Sequence, residues 1–535
     1  KGKLDLDRDI NAYLDFTIPK RYGEPITLRD LMTHTPGFED TARGLMPTDP
    51  DAVDLGKYLK THIPARIFPP GEVVAYSNYG CGLAGYIVQR VSGMPFEDYI
   101  REHIFEPLGM DHSTFEQPLP ANLAPLMAKG YKSRSDGKPQ PFELVNPAPA
   151  GAMSTTALDM ARFMIAQLHK GRYRDTRILD QATAELMHSP QHTEVPGMNG
   201  FDLGFYQENR NGQRIIGHAG DTNWFHSDLH LLLDADVGMF VSFNSAGNRG
   251  GAHVIRRAIF RAFMDRYYPY HPASPPTVDD AAADAGRVVG WYQSSRRNES
   301  ALSMLNLFAQ MAVVALPDGT LVIPALTNAA KKPLHWRQTG PLRYQEVHGR
   351  SHVVFVANKD GSIRYWATDD LPPVMVFQRV SAWYSQGLVK PLVSLVTLLC
   401  LITLLTWFCG WWVRKHYGRR LDLAGSQRTL RLLSRLGALA LVVLVVGWLV
   451  FLIYMTSHIM VLLSGAAVPW MYVLYVLGVL ALLGALAMIA NAVRAWLAPR
   501  RGWWVLAGET LLALAAVYAI WFIFAFDLVS FNVQY

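Results

Sequence analysis

The chain has 535 residues, half of them hydrophobic, and 50 Lys and Arg against 44 Asp and Glu give it a formal charge of +6. That length exceeds one ordinary hydrophobic core, and the basic excess lies from Val389 onward, where 11 basic residues face 3 acidic ones. The remainder is therefore slightly acidic, which argues against a nucleic-acid partner, and three cysteines (Cys81, Cys400, Cys409) offer neither an intradomain disulfide nor a metal-ligand spacing.

Residues 1–268 mix amphipathic helices, short apolar strands and Gly/Pro turns, an α+β pattern. The opening "KGKLDLDRDI" begins at Lys1 with no Met or signal peptide ahead of it, and reads as a helix end running into a turn. Ile26–Phe38, "ITLRDLMTHTPGF", predicts a short helix stopped by a His-Thr-Pro-Gly turn. In "FPPGEVVAYSNYGCGLAGYIVQ", Tyr76 and Asn78 stand two apart just before a small-residue helix. On an extended backbone they face one cleft, where a phenol moves protons and an amide binds a carbonyl or holds a lysine; Cys81 reads as a small packed residue.

Phe96–Met110 has helical spacing up to Pro-Leu-Gly, and Ser154–Leu168 predicts a helix with Thr156 and Asp159 as a capping box. Ser135-Asp136-Gly137-Lys138 lies between them in a polar loop without an apolar helix behind it. "RIIGHAGDTNWFHSDL" predicts a strand edge carrying His218-Ala219-Gly220, the glycine permitting close approach of a substrate backbone. His226 and His230 are four apart in a strand, which is not a helical metal pair. Asp228–Ser245 reads as two buried strands around Asp-Ala-Asp.

Residues 269–286 form a Pro/Ala-rich linker. Residues 287–388 predict a small antiparallel barrel or sheet with Asp-Gly hairpins and no catalytic constellation, a packing or spacing module. Residues 389–535 predict four transmembrane helices: Pro391–Val413, two within Leu436–Val493 broken at Ser464–Trp470, and Gly502–Phe526. Arg414, Lys415, Arg419, Arg420, Arg428, Arg431 and Arg435 mark one cytoplasmic loop, and Arg494, Arg500 and Arg501 another. Everything before residue 389 is then extracytoplasmic. Trp411, Trp412, Trp470, Trp503 and Trp504 fall at expected interfaces, and Glu509 is an acid inside a span, expected to snorkel or pair with another helix.

The phrases "LMTHTPGF", "PPGEVVAYSNYG", "PLGMDHSTF", "PAGAMSTTALDMARF" and "GHAGDTNWFHS", taken together over roughly Lys1 to Asp265, resemble the class C β-lactamase, DD-peptidase and esterase superfamily of serine hydrolases. The resemblance implies a β-lactamase/transpeptidase-like antiparallel sheet flanked by helices. It also implies an acyl-enzyme formed on a serine, with no cofactor and no metal. Tyr76 would be the proton shuttle, Asn78 would position the catalytic lysine and the substrate amide, and His218 would stand where many relatives carry a lysine. Gly220 and the N–H of Asp221 would form the substrate-binding edge and one oxyanion donor. A neutral His218 would supply a donor but no fixed positive charge, weakening recognition of a carboxylate.

The family's Ser-x-x-Lys is absent from its expected place, about 20 residues before the "GKLDLD" turn. The expectation is a segment of a longer, secreted protein, anchored in a bacterial inner membrane, which is inactive without its nucleophile. The substrate would be a small molecule or peptide, in the manner of a peptidase or esterase, or of a maturation peptidase by analogy of architecture. The alternative is a non-catalytic sensor or scaffold that binds peptide or cell-wall ligands.

Overall fold

The computed structural model describes residues 2–134, 136–271, 275–278, 281–421, 423, 425–498 and 502–535. Two compact units emerge, residues 1–297 with 311–379 and residues 298–310 with 380–535.

In the first unit, α1 (Leu28–Met32) opens with a true capping box, Thr27 and Asp30 each accepting from the other's backbone N–H. It ends at Thr33, and His34 follows with φ of 56°. The next helix, α2 (Asn78–Ser92), starts at Ser77, whose hydroxyl accepts from Gly80 N at 3.0 Å. Within Phe96–Met110 the chain is helical from Phe96 to Leu108, through a wide π turn at Arg101–Phe105, and stops at Gly109 as the Pro-Leu-Gly predicts. In α3 (Ala157–Leu168) only half of the expected capping box forms: Thr156 accepts from Asp159 N. The Asp159 carboxylate turns away to accept from His112 N at 2.8 Å and Ser113 Oγ at 2.9 Å, tying α3 to the 110–113 turn.

Four antiparallel strands form the sheet in the order β1 (Tyr206–Gln207), β2 (Ile215–Asp221), β3 (His226–Leu232), β4 (Val237–Phe243). The Asp228–Ser245 segment supplies most of β3 and all of β4; β3 is buried, whereas β4 is mostly half-buried. Period-2 alternation sends Ile216 to a core shared with Met164 of α3, and Ile215 to one shared with Phe260 and Met264 of α4 (Gly251–Tyr267). Helices thus cover both faces, which is the α+β architecture expected of this region.

Helix α5 (Ala281–Val288) occupies part of the Pro/Ala-rich segment and buries Ala285 and Val288 against a closed eight-stranded antiparallel barrel. Its strands are β5 (Gly290–Ser294), β6 (Met311–Ala315), β7 (Leu321–Thr327), β8 (Pro333–Gly340), β9 (Arg343–Glu346), β10 (His352–Ala357), β11 (Ile363–Thr368) and β12 (Phe377–Arg379). The interior is filled by Trp336, Trp366, Tyr292, Tyr344, Phe355 and Phe377, so the barrel is a packed core and not a cup. Its margin grips the region ahead of α2. Ala75 bridges Met375, and Ser295 Oγ donates to Val74 O at 2.6 Å while accepting from Val376 N at 3.0 Å.

The second unit contains four helices long and apolar enough to cross a membrane: α6 (Gln386–His416), α7 (Gly425–Ser457), α8 (Val468–Leu497) and α9 (Trp503–Ala525). α7 ends at Ser457, ahead of the expected break; a short helix, Ile459–Leu463, follows, and α8 begins at Val468, inside the expected Ser464–Trp470. The basic residues do not all lie in loops: α6 runs through Arg414 and Lys415, and α7 already includes Arg428, Arg431 and Arg435. Arg500 and Arg501 lie outside the described residues. Gly437 and Gly484 let α7 and α8 touch backbone to backbone, since a Cβ on Gly437 would stand 2.5 Å from Gly484 O. Glu509 pairs across helices. Arg435 donates to it at 2.6 and 2.9 Å and Asn491 at 2.7 Å, all three buried.

Candidate active site

Tyr76 is held by what precedes and follows it. Ala75 N donates to His34 O at 2.9 Å and Tyr76 N to Val374 O at 3.0 Å, which keeps the segment extended. The extension ends at Ser77, and Asn78 is the first residue of α2. The left-handed turn at His34 carries its imidazole under Tyr76, with ring centroids 4.1 Å apart, and His34 Nδ1 accepts from Ser77 N at 3.3 Å. The His-Thr-Pro-Gly turn, which on its own reads as a helix stop, therefore floors the site.

His218 projects from β2 so that its ring lies 6.0 Å from that of Tyr76 and 5.2 Å from that of Tyr206. Tyr206 accepts from Ala219 N at 2.7 Å and so locks the strand beside it. His218 Nδ1 is 2.7 Å from Ala219 O, a bond that requires the hydrogen on Nδ1. The neutral ring then presents a bare Nε2, an acceptor, where the sequence suggests a donor. Burial lowers the His218 pKa, partly opposed by that bond to Ala219, and burial together with His218 and Arg296 lowers that of His34 well below 6.5. Both rings are neutral at pH 7. Tyr76 is pushed well above 10 by burial and then by Cys81, so it rests as a protonated phenol. The Cys81 thiol, 3.8 Å from Tyr76 Oη, is pushed up to about 11 by burial, in keeping with a packed thiol.

Gly220 and Asp221 end β2. A Cβ on Gly220 would meet Ser227 Oγ at 2.8 Å, so a larger residue there would have to turn that hydroxyl aside. The Asp221 side chain faces the opposite side of the sheet from His218, where Arg256 donates to both of its oxygens at 3.1 Å and His226 Nδ1 lies at 2.7 Å. Burial works to raise this carboxyl, but His226 and Arg256 outweigh it and the pKa falls. Thr222 N donates to Phe225 O, so by the alternation of the ladder Asp221, paired with His226, turns its own N–H away from β3. It points to the side where β1, only Tyr206–Gln207, has already ended. Tyr76, His218 and the end of β2 are thus brought together; Asn78, the first residue of α2, stands two residues after Tyr76 in the chain.

One further group was not foreseen. Arg296, just past β5 of the barrel, lays its guanidinium 4.9 Å from the Tyr76 ring centroid and donates through Nε to Asp40 at 2.8 Å. The barrel therefore brings a fixed positive charge to the site. His226 and His230 each pair with a carboxylate, Asp221 and Glu208, and His230 stacks on Phe260 at 3.7 Å. Two groups of carboxylates and imidazoles, Asp221-His226-His253 and Glu208-Asp228-His230, are tight enough to consider a metal. Arg256 contacts both Asp221 and Asp228 and already supplies the cation they need. Ser135 lies outside the described residues; Lys138 of that loop is exposed.

Residues 1–263 match the protein family described as Beta-lactamase. They form a β-lactamase-family domain. Among curated relatives, the putative penicillin-binding protein PbpX of Bacillus subtilis is 33% identical over 208 residues, covering 38% of this chain and 48% of the relative. The D-alanyl-D-alanine-carboxypeptidase/endopeptidase AmpH of Escherichia coli K12 is 28% identical over 257 residues, covering 45% and 64%. The chain thus spans less than two thirds of the length of each. Among solved structures, the octameric penicillin-binding protein homologue from Pyrococcus abyssi aligns at a TM-score of 0.41 and 19% identity, over 70% of this chain and 83% of that one. Within the β-lactamase-family domain, His34 was visible in sequence only as part of a shared phrase, and Arg296 lies beyond the domain altogether.

Proposed function

We propose that the chain is part of a membrane-anchored, extracytoplasmic serine hydrolase that cleaves an amide or ester through an acyl-enzyme. The observation that carries this reading is the convergence of Tyr76 and His218, rings 6.0 Å apart, at the open end of β2. Tyr76 relays the proton between the attacking serine and the leaving group, and Asn78 orients the substrate amide. Gly220 gives the substrate backbone room, and the outward N–H of Asp221 is one donor to the oxyanion. His218, neutral with Nε2 bare, accepts a hydrogen bond from the substrate or from the tyrosine.

The serine itself is a different matter. Ser-x-x-Lys occurs before the membrane region only at Ser135–Lys138, in a polar loop, so this 535-residue chain forms no acyl-enzyme by itself. The same absence favours the second reading, a binder of peptide or cell-wall ligands without turnover. The arginine clusters near the ends of α6 to α8 support the extracytoplasmic side, because basic flanks favour the cytoplasm. The organisation in this reading is a β-lactamase-family domain at 1–268, a linker at 269–286, a β domain at 287–388 and an inner-membrane anchor at 389–535. The substrate class is a small molecule or peptide, for which AmpH, by its name a D-alanyl-D-alanine carboxypeptidase/endopeptidase, is a chemical guide.

A fluorophosphonate or penicillin probe applied to the full-length gene product tests the proposal. Covalent labelling that disappears in Tyr76→Phe supports the hydrolase. No labelling of the full-length product supports the binder, and stable labelling of the 535-residue chain refutes the statement that it forms no acyl-enzyme by itself.

A further inference from the structure

On the far side of β2 from His218 lies a cleft of about 580 Å³, bounded by α4, by the turn from β1 to β2, and by the barrel at Arg350 and Asp369–Pro372. None of Tyr76, Asn78 or His218 lines it. Its chemistry is dominated by guanidinium groups. Arg257 and Arg261, one turn apart on α4, share the buried Asp370: Arg261 Nη2 donates to it at 2.6 Å and Arg257 Nη1 lies 3.7 Å away. Arg350 reaches in from the barrel, its Nη1 held by Asn211 Oδ1 at 2.9 Å and by Asp265 at 3.3 Å.

Arg210 has no such support. Among the described residues it forms no ion pair, and its buried Nε has no hydrogen-bond partner. Burial and then the neighbouring Arg261 weaken its hold on the proton, with Arg350 adding to the repulsion and Asp265 and Asp369 opposing it. A guanidinium stays charged in proteins, so this charge is left without a contact anion. The carboxylates of the cleft are already committed. Asp370 serves two arginines, Asp369 accepts from His352, Glu208 from His230, and Asp228 faces Arg256. Each guanidinium carries five N–H donors, yet Arg257, Arg261 and Arg350 each spend one nitrogen on the contacts above and Arg210 none, so donors remain in excess.

We propose that this cleft is a binding site for a phosphate monoester, with Arg210 at its centre and Arg257, Arg261 and Arg350 around it. Several planar forks lining one cleft suit the oxygens of a phosphate. A monoester carries close to two charges at neutral pH, more than a single carboxylate offers to several arginines. The volume exceeds that of the phosphate alone and leaves room for its alcohol portion. The ester comes either from solution or from the headgroup of a lipid such as phosphatidic acid. The site is independent of the hydrolase reading.

The test is calorimetric titration of the full chain in detergent with glycerol 3-phosphate and with inorganic phosphate, beside co-sedimentation of the reconstituted chain with phosphatidylcholine vesicles with or without phosphatidic acid. Binding of the soluble phosphates that weakens at least about tenfold in R210Q, as expected for loss of a charge-assisted contact, supports the site and a soluble ligand. Binding of phosphatidic acid alone, lost in R210Q, supports the site and a lipid ligand. R350Q, on the barrel side of the cleft, gives the same readout should R210Q fail to fold, and R210K retains part of the affinity. No binding in either arm, equal binding by R210Q and R350Q, or acetate competing as well as phosphate overturns the proposal.

Discussion

The ion pair inside the helical unit allows a quantitative test that is independent of catalysis. Glu509 accepts from Arg435 at 2.6 and 2.9 Å and from Asn491 at 2.7 Å, with side-chain exposures of 10% for Arg435 and 5% for Glu509. Removing one partner leaves an uncompensated buried charge, a loss of about 3–5 kcal/mol, or a change in the folded-to-unfolded ratio of roughly 10²- to 10⁴-fold. Removing both charges also removes the desolvation cost of both, so replacement by apolar side chains is expected to be neutral or to stabilise by about 1–4 kcal/mol. Asn491 contributes one neutral-to-charged bond, and Asn491→Leu should cost about 1 kcal/mol. The assay is SDS-induced unfolding from mixed micelles, followed by tryptophan fluorescence, for R435L, E509L, N491L and R435L/E509L. The expected pattern is two damaging single substitutions and a double variant close to or above the parent. Single variants that lose less than about 1 kcal/mol, or a double variant whose loss equals the sum of the singles, would refute a buried, mutually dependent pair.

Gly437→Val places a side chain against the Gly484 backbone, 2.5 Å from its carbonyl oxygen even at Cβ. It should separate α7 from α8 and lower stability in the same assay by about 1–3 kcal/mol; an unchanged midpoint would mean that the helices do not cross there. Ser295→Ala strips Val74 O and Val376 N of a shared partner in a buried seam, at an expected cost of about 1–3 kcal/mol read by urea unfolding, and a wild-type midpoint would show the seam to be wet or loose. For pH, His34 and His218 have folded pKa values below the 6.5 of the unfolded chain. The unfolded state therefore takes up protons first, and their contribution is complete above pH 6.5 and declines as pH falls toward the folded values. His34→Gln should flatten the acid-side fall in melting temperature between pH 7 and the lowered values. A variant profile parallel to the parent's would disprove a buried neutral imidazole.

What could be read in the sequence was whatever is local in the chain. The hairpin around Asp236, the helix after Ser77 and the break at Ser464–Trp470 all rest on periodicity and turn chemistry within about a dozen residues. The half-formed capping box at Thr156 marks the limit. A carboxylate three residues on is equally able to leave its own helix, and Asp159 does so because His112 N and Ser113 Oγ offer partners that no local pattern shows. Arg435 fails to stand out for a similar reason: an arginine at the edge of an apolar run counts as loop charge until a glutamate on another helix is found facing it. The barrel shows the same limit at the site itself. Its strands were legible from Asp-Gly hairpins, and a module without a catalytic cluster reads as a spacer. Closure of the barrel, however, brings Met375 beside Ala75 and Arg296 over Tyr76, contacts between segments hundreds of residues apart. Because the Tyr76 strand is itself pinned by Val374 and Ser295, the orientation of the phenol depends on the barrel as much as on the domain whose motif carries it.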